Sequence, residues 1–152
     1  MLGLLAALGA APAWAGATAR CVLSATPLAF GRYTPYGTSP ADFTATITVI
    51  CTTPGGDPVP FRGRVGLTGA GASDDRELSD GRHSLRYQLF SDPSRTAPWG
   101  DVGGSGARLI SGIVGPATPF RETVTVYGRI LARQSSASVG DYSGQVVAVL
   151  NY

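Results

Sequence analysis

Lysine is absent from the 152-residue sequence, and charged residues of either sign make up only 14% of it. The twelve basic residues are all arginines, which extend from Arg20 to Arg133 without forming a basic run. With a formal net charge of only +2, this even spread predicts that no face of the protein concentrates positive charge. Nucleic acid is therefore not expected as a partner.

Histidine occurs once and cysteine twice, which limits the chemistry that the chain can carry. His83 stands beside Ser84 at the start of a predicted strand, where adjacent side chains point to opposite faces, so the two cannot form a base and nucleophile pair. No Gly-x-Ser-x-Gly turn is present, and we interpret His83 as a solvated turn residue. Two cysteines and one distant histidine are too few ligands for a metal site. We predict no enzyme, no metal and no cofactor.

Carboxylates are also scarce, and four of them cluster in one segment: Asp74, Asp75, Glu77 and Asp80. A calcium loop is one interpretation, but the spacing does not match that of an EF-hand. Because Arg76 and Arg82 within the cluster oppose cation binding, we favour a solvated loop with local ion pairs.

The N-terminal segment is an apolar run followed by small residues that end at Ala13-Trp14-Ala15, a pattern typical of a secretory signal and its peptidase site. We predict a signal peptide over residues 1–19, with cleavage after Ala15 or Ala19, and one domain over residues 20–152. The run is shorter than the roughly 20 residues that a membrane-spanning helix needs. No membrane span is expected after cleavage.

Export determines how Cys21 and Cys51 are interpreted. In an oxidising compartment a lone pair of thiols forms a disulfide, so we predict a Cys21–Cys51 bond. Two free buried thiols are the alternative.

Hydrophobic residues form 43% of the chain, and 21 glycines and 11 prolines accompany them, which is typical of short strands joined by turns. In residues 43–51 the odd positions are apolar, so Cys51 falls on the apolar face of a predicted strand. The same period of two predicts strands over residues 59–67, 84–89, 120–131 and 142–152. Turn clusters at residues 52–58, 69–75 and 101–106 separate them, and residues 107–114 are a weaker candidate for an edge strand. An antiparallel sandwich is expected.

Trp99 is the one aromatic residue of an otherwise polar loop. An exposed ring could stack on a sugar, which makes Trp99 a candidate for surface binding. Isolated tryptophans in small domains more commonly pack in the core or cover its end, and we favour packing.

Several motifs follow one another in a specific order along the chain. They are Cys21-Val-Leu-Ser, Leu28-Ala-Phe-Gly-Arg-Tyr33, Ile47-Thr-Val-Ile-Cys51, Leu85-Arg-Tyr-Gln-Leu-Phe90, Pro98-Trp-Gly-Asp101, Val126-Tyr-Gly-Arg-Ile130 and Gly140-Asp-Tyr-Ser-Gly. In these motifs the sequence from Cys21 to Tyr152 resembles the spore coat protein U domain family, which includes subunits of archaic chaperone-usher pili. The resemblance implies an incomplete immunoglobulin-like antiparallel β-sandwich that is completed by a donor strand in trans.

The resemblance also implies a binding groove along the last strand. Its predicted lining is the set of inward residues Tyr142, Val146, Ala148, Leu150 and Tyr152, with contributions from the strand near Cys21. These are binding residues for a partner strand and not catalytic residues. A periplasmic chaperone would cover the groove first, and at an outer-membrane usher the N-terminal strand of another subunit would replace it.

The resemblance thus implies a structural subunit that passes through the periplasm to a surface fimbrium or coat. Polymerising subunits carry a donor segment before the first cysteine, whereas residues 16–20 alone would remain here after cleavage. We therefore expect a terminal or tip-like subunit. A secreted carbohydrate-binding β-sandwich is the alternative, and an exported hydrolase ranks behind both.

Overall fold

The computed structural model describes residues 18–69, 71–72 and 74–152 of the chain. These residues form nine strands: β1 (Arg20–Ala25), β2 (Ala41–Thr52), β3 (Val59–Thr68), β4 (Gly71–Ala72), β5 (Asp75–Ser79), β6 (Ser84–Phe90), β7 (Arg108–Val114), β8 (Phe120–Ile130) and β9 (Val147–Asn151). The predicted all-β class is confirmed. Within these ranges no helix is long and apolar enough to span a bilayer. Most of the predicted signal peptide, residues 1–17, lies outside the described part of the chain.

The strands form two antiparallel sheets. The larger sheet has the order β1-β2-β8-β6-β5-β4, and the smaller has the order β7-β3-β9. The longest pairing joins β2 to β8, from Ala41 opposite Ile130 to Cys51 opposite Phe120. Buried residues of both sheets belong to one hydrophobic cluster, and this shared core holds the two sheets together.

The core follows from the alternation of apolar and polar residues. In β2 the inward residues are buried, and their neighbours are exposed or half-buried. The buried set of β2 is Phe43, Ala45, Ile47, Val49 and Cys51. Val124 of β8 lies directly opposite Ile47, and Leu67 of the smaller sheet belongs to the same cluster. Each fully buried aliphatic side chain contributes about 1.5–3 kcal/mol, so this face fixes the register of both strands.

Trp99 is 0% exposed and joins the two sheets. Its indole N–H donates to the Val65 carbonyl at 2.9 Å, and its backbone N–H donates to the Leu89 carbonyl at 2.8 Å. The packing interpretation is confirmed. The suggestion that Trp99 binds a ligand at the surface is wrong, because the ring presents no surface on which a sugar could stack.

Arg76 departs most from its predicted setting. The sequence predicts a solvated loop, but Arg76 lies in β5 and is buried. Its guanidinium donates to the carbonyl oxygens of Leu67 at 2.7 Å, Gly69 at 2.9 Å and Trp99 at 3.3 Å, and desolvation lowers the pKa of Arg76. These carbonyl oxygens compensate the burial of the charge. The expected local ion pair does occur on the solvent side of β5, between Asp75 and Arg86 at 2.7 Å.

The last strand is shorter than predicted, because β9 begins at Val147 and not at residue 142. The preceding segment belongs to the larger sheet: Ser143 and Ser79 exchange two backbone hydrogen bonds of 2.9 and 3.0 Å. The Tyr142 hydroxyl is held by the backbone of Ser138 at 3.0 Å. The chain therefore leaves the larger sheet only after Ser143, and then joins β3. The weaker candidate for an edge strand, in contrast, is a full strand, β7.

Replacing Gly66 with Ala should lower the free energy of unfolding of the domain by about 1–3 kcal/mol. A Cβ at Gly66 would overlap the backbone N and Cα atoms of Val102, which cannot rotate away as a side chain can. Gly103→Ala is the matched control, because a Cβ there meets nothing within 4 Å. Urea unfolding of both variants measures the difference, and equal midpoints would contradict the packing.

Candidate strand-acceptor groove

The predicted disulfide joins the first two strands. Cys21 and Cys51 are bonded, with their Cα atoms 4.0 Å apart, and lie opposite each other in the β1–β2 pairing. Both cysteines of the sequence are therefore bonded. Since β1 has six residues and pairs only with β2 among the described strands, the disulfide fixes a strand that has few other contacts.

An apolar groove of about 380 Å³ lies beside β1. Each sheet supplies one rim: the end of β1 and its continuation form one, and the segment leading into β9 forms the other. The rim residues are Ala25, Thr26, Pro27 and Leu28 on one side and Gly144, Gln145, Val146 and Ala148 on the other. Ile47, Leu67, Leu89 and Val126 are buried at the floor. The groove therefore exposes part of the shared core between the edges of two sheets.

The β1 rim presents unpaired backbone groups to the groove. The Thr26 N–H donates to the Thr46 carbonyl at 2.9 Å, so Thr26 and Thr46 face each other as a hydrogen-bonded pair. In an antiparallel ladder such pairs alternate with pairs whose N–H and C=O groups point outward. By this alternation the backbone groups of Cys21, Leu23 and Ala25 point away from β2 and towards the groove.

The β9 rim also presents unpaired backbone groups to the groove. The N–H of Leu67 donates to Gly100 and its carbonyl accepts from Arg76, both on the side of β3 away from β9. Leu67 and Ala148 face each other in the register, and they are therefore a pair without mutual hydrogen bonds. The backbone groups of Ala148, and by the period of two those of Leu150, point to the open edge. Two free strand edges thus face each other across an apolar floor.

Tyr152 connects the start of β1 to the end of β9, and we call this the closed end of the groove. Its hydroxyl accepts the Cys21 backbone N–H at 3.2 Å, and its ring packs against Phe61 with centroids 5.8 Å apart. The side chain remains 57% exposed. This bond occupies one outward amide of β1 and leaves those of Leu23 and Ala25 facing the open part.

The structure divides the five predicted groove residues. Val146 and Ala148 line the groove. Leu150 packs under β3 against Gly63: if Gly63 carried a Cβ atom, the Leu150 Cδ1 atom would lie 2.9 Å from it. Tyr152 forms the closed end. Tyr142 does not belong to the groove, because its ring packs against Tyr33 with centroids 6.2 Å apart. The prediction misplaced Tyr142 because it extended β9 backwards through a segment that pairs with β5.

Sequence reasoning missed the opposite rim. Residues 25–28 carry no alternating pattern beyond the end of β1, and only the register of β1 against β2 places them beside β9. The one available signal was the resemblance, which pointed to the strand near Cys21.

None of the described residues that line the groove has an ionisable side chain. The described side chains whose pKa values are shifted lie outside the groove. Arg129 donates to both oxygens of Asp42, at 2.7 and 2.9 Å, and lowers the pKa of that carboxyl. Backbone N–H groups of Arg82 and His83 lower the pKa of Asp80 to about 2. The groove is thus suited to apolar side chains and backbone hydrogen bonds.

Asp80, His83 and Ser138 meet at the β5–β6 turn. Asp80 Oδ2 lies 3.1 Å and Ser138 Oγ 3.2 Å from the ring of His83. Both contacts use the same nitrogen, Nδ1, whereas a catalytic triad needs the carboxylate and the nucleophile on different ring nitrogens. The cluster is therefore a turn stabilised by hydrogen bonds. Among the residues that the structure describes, no three potential metal ligands come together.

The sequence of the chain matches a known protein family. The model of the Spore Coat Protein U domain matches residues 6–149, which is nearly the whole chain. The chain belongs to the Spore Coat Protein U domain family. No curated protein matches it. The family is one of structural pilus and coat subunits of the extracellular surface and not a family of enzymes, and the disulfide fits an oxidising environment.

Replacing Tyr152 with Phe should open the closed end of the groove in this Spore Coat Protein U domain. The substitution removes the hydroxyl that accepts the Cys21 N–H and keeps the ring on Phe61. We expect faster hydrogen exchange at the Cys21 amide, with unchanged exchange at core amides of β2. Exchange followed residue by residue by NMR measures this, and an unchanged Cys21 rate would show that the hydroxyl does not close the groove.

Proposed function

We propose that this domain is a structural subunit of a secreted surface fibre or coat, and that the groove between β1 and β9 accepts a strand from another chain. One observation carries the proposal: two unpaired strand edges face each other across an exposed part of the core. An unpaired edge is a template for strand addition, and strand addition at a sheet edge is a common way to bind an extended peptide. The inserted strand completes an immunoglobulin-like sandwich.

The direction of such a strand is restricted. The start of β1 lies beside the end of β9, through the contact of Cys21 with Tyr152, so β1 and β9 run antiparallel. A strand inserted between them is therefore parallel to one rim and antiparallel to the other. Its alternate side chains would enter the apolar floor about 6.6 Å apart, and its intervening side chains would face solvent.

The partners follow from the family and the groove. A periplasmic chaperone supplies the first strand, an outer-membrane usher exchanges it, and a further pilus or coat subunit supplies the final one. The protein reaches the cell surface through the periplasm, after removal of the predicted signal peptide. The terminal or tip-like position stays a prediction.

Periplasmic expression together with the chaperone of the same assembly system tests the proposal. We expect the subunit to accumulate in the periplasm mainly as a one-to-one complex with a chaperone of about 25 kDa, the size of a two-domain protein, because the uncovered groove promotes aggregation and degradation in the cell. A carbohydrate-binding module would accumulate alone as a stable monomer. That outcome would contradict the proposal.

A further inference from the structure

Charge is distributed unequally between the two sheets. The three strands of the smaller sheet, β7, β3 and β9, contain three arginines, Arg62, Arg64 and Arg108, and no carboxylate. In the larger sheet Asp42 pairs with Arg129 at 2.7 Å, and Asp75 pairs with Arg86 at 2.7 Å. Two of these arginines, Arg62 and Arg64, alternate along β3, so this sheet carries a local positive charge that the even spread of arginines along the sequence does not predict.

Arg62 and Arg64 lie on the outer face of the smaller sheet. Both are exposed, while their neighbours Phe61, Gly63 and Val65 are buried. Two positions along a strand separate their Cα atoms by about 6.6 Å. Neither arginine has a carboxylate within ion-pair distance among the residues that the structure describes. Two guanidinium groups therefore stand side by side without a counter-charge from the described chain.

The neighbouring strands add hydrogen-bonding groups. Ser111 of β7 lies opposite Arg62, and Asn151 of β9 lies opposite Arg64. Together these residues border an open depression of about 390 Å³. A hydroxyl and an amide flank the two cations, which is the donor set that an anionic and hydroxylated ligand needs.

Apolar side chains border the same face. Leu109 and Ile113 of β7 are 72% and 70% exposed. They lie on the same outer face of the strand as Ser111, one on each side of it. Such side chains can contact the C–H faces of a sugar ring while the arginines bind its anionic substituents. The open shape of the depression fits a segment of a polymer that passes over the sheet.

We propose that the outer face of the smaller sheet binds an acidic polysaccharide, with Arg62 and Arg64 paired to its carboxylate or sulfate groups. Guanidinium groups bind both anions through two parallel N–H donors. This face lies on the opposite side of β3 from the core, so it stays accessible when the groove is filled. This proposal does not depend on strand acceptance. It assigns the domain a second ligand at a separate surface.

Binding of the full purified chain to three polymers at fixed ionic strength tests the proposal. Polygalacturonate carries carboxylates, dextran sulfate carries sulfates, and dextran is neutral. We expect binding to one or both acidic polymers, no binding to dextran, and weaker binding as salt is raised. Preference between the two acidic polymers identifies the anion. Equal binding to dextran would overturn the proposal.

Two sets of variants locate the site. The double substitution Arg62→Gln and Arg64→Gln should weaken binding roughly tenfold or more, because it removes two charge-assisted contacts. Arg32→Gln with Arg82→Gln is the control, since it makes the same change in net charge at exposed residues outside the smaller sheet. Equal losses in the two double variants would overturn the proposal, because they would show that net charge alone drives binding.

Ser111→Asp keeps both arginines and places a carboxylate opposite Arg62. We expect it to suppress binding as the double arginine variant does, and full binding by Ser111→Asp would contradict the site. None of these residues lines the strand-acceptor groove, so chaperone capture should be unchanged in all three variants. Loss of polysaccharide binding and loss of strand acceptance are therefore distinguishable.

Discussion

Replacing Ala148 with Asp should weaken donor-strand binding by about a hundredfold or more, which is roughly 2.8 kcal/mol. Ala148 lines the groove from β9, and a carboxylate at this position would be desolvated against an apolar floor when a strand covers it. Capture of chaperone or of a synthetic donor peptide measures the effect.

Val147→Asp is the matched control. Val147 is the adjacent residue of β9 and is 47% exposed, and its side chain points away from the core. The control should bind nearly as well as the parent. Equal loss in both variants would mean that the charge disrupts β9 itself and would contradict a specific role for the groove.

A second variant tests the backbone. Ala25→Pro removes an N–H that points to the groove and not to β2, and edge strands tolerate proline where the N–H is unpaired. The domain should remain folded and bind a donor strand less tightly. If it binds as the parent does, the β1 rim does not pair with the donor.

Removal of the disulfide has the second large expected effect. Replacing Cys21 and Cys51 with Ser should lower the free energy of unfolding by about 3–4 kcal/mol in the chain-entropy account, because the bond closes a loop between residues 30 positions apart. Chemical denaturation of the parent and the double variant measures the loss. The parent should contain no titratable thiol when unfolded without reductant.

The disulfide should also matter for binding, since it fixes β1, one rim of the groove. We therefore expect the double variant to lose donor affinity even at temperatures where it remains folded. A loss of stability below about 1 kcal/mol, with donor affinity intact, would show that pairing with β2 alone fixes β1.

Strands with one buried face could be predicted closely from the sequence. The prediction for β2 covered residues 43–51, and the strand spans Ala41–Thr52; the prediction for β8 covered residues 120–131, and the strand spans Phe120–Ile130. In both, apolar and polar residues alternate because one face packs on the core and the other is solvated. Cys51 lies on the buried face for the same reason.

The errors arose where a distant partner determines the structure. Arg76 indicates a polar loop in the sequence, but carbonyl oxygens of Leu67 and Trp99 compensate its charge inside the core. Tyr142 fits the alternation of β9, yet the neighbouring Ser143 pairs with Ser79. Neither contact can be derived from local periodicity, because each joins segments that approach only in the folded chain.

The groove was predicted in part for a similar reason. Val146 and Ala148 follow the period of the last strand, so the sequence indicates their inward position. The β1 rim depends on the register of Cys21 opposite Cys51 and on the approach of β9. Only the family resemblance pointed to that side, and it named the strand but not the residues 25–28.

Amide hydrogen exchange with and without a donor peptide tests the central claim most directly. The peptide is a synthetic strand of about nine residues with alternating Ile and Thr, and a peptide of the same composition without alternation is the control. The account predicts that the alternating peptide protects the amides of Leu23, Ala25, Ala148 and Leu150, which point to the groove, and raises the melting temperature. Protection confined to the outer edge of β7, or no protection by either peptide, would contradict the account.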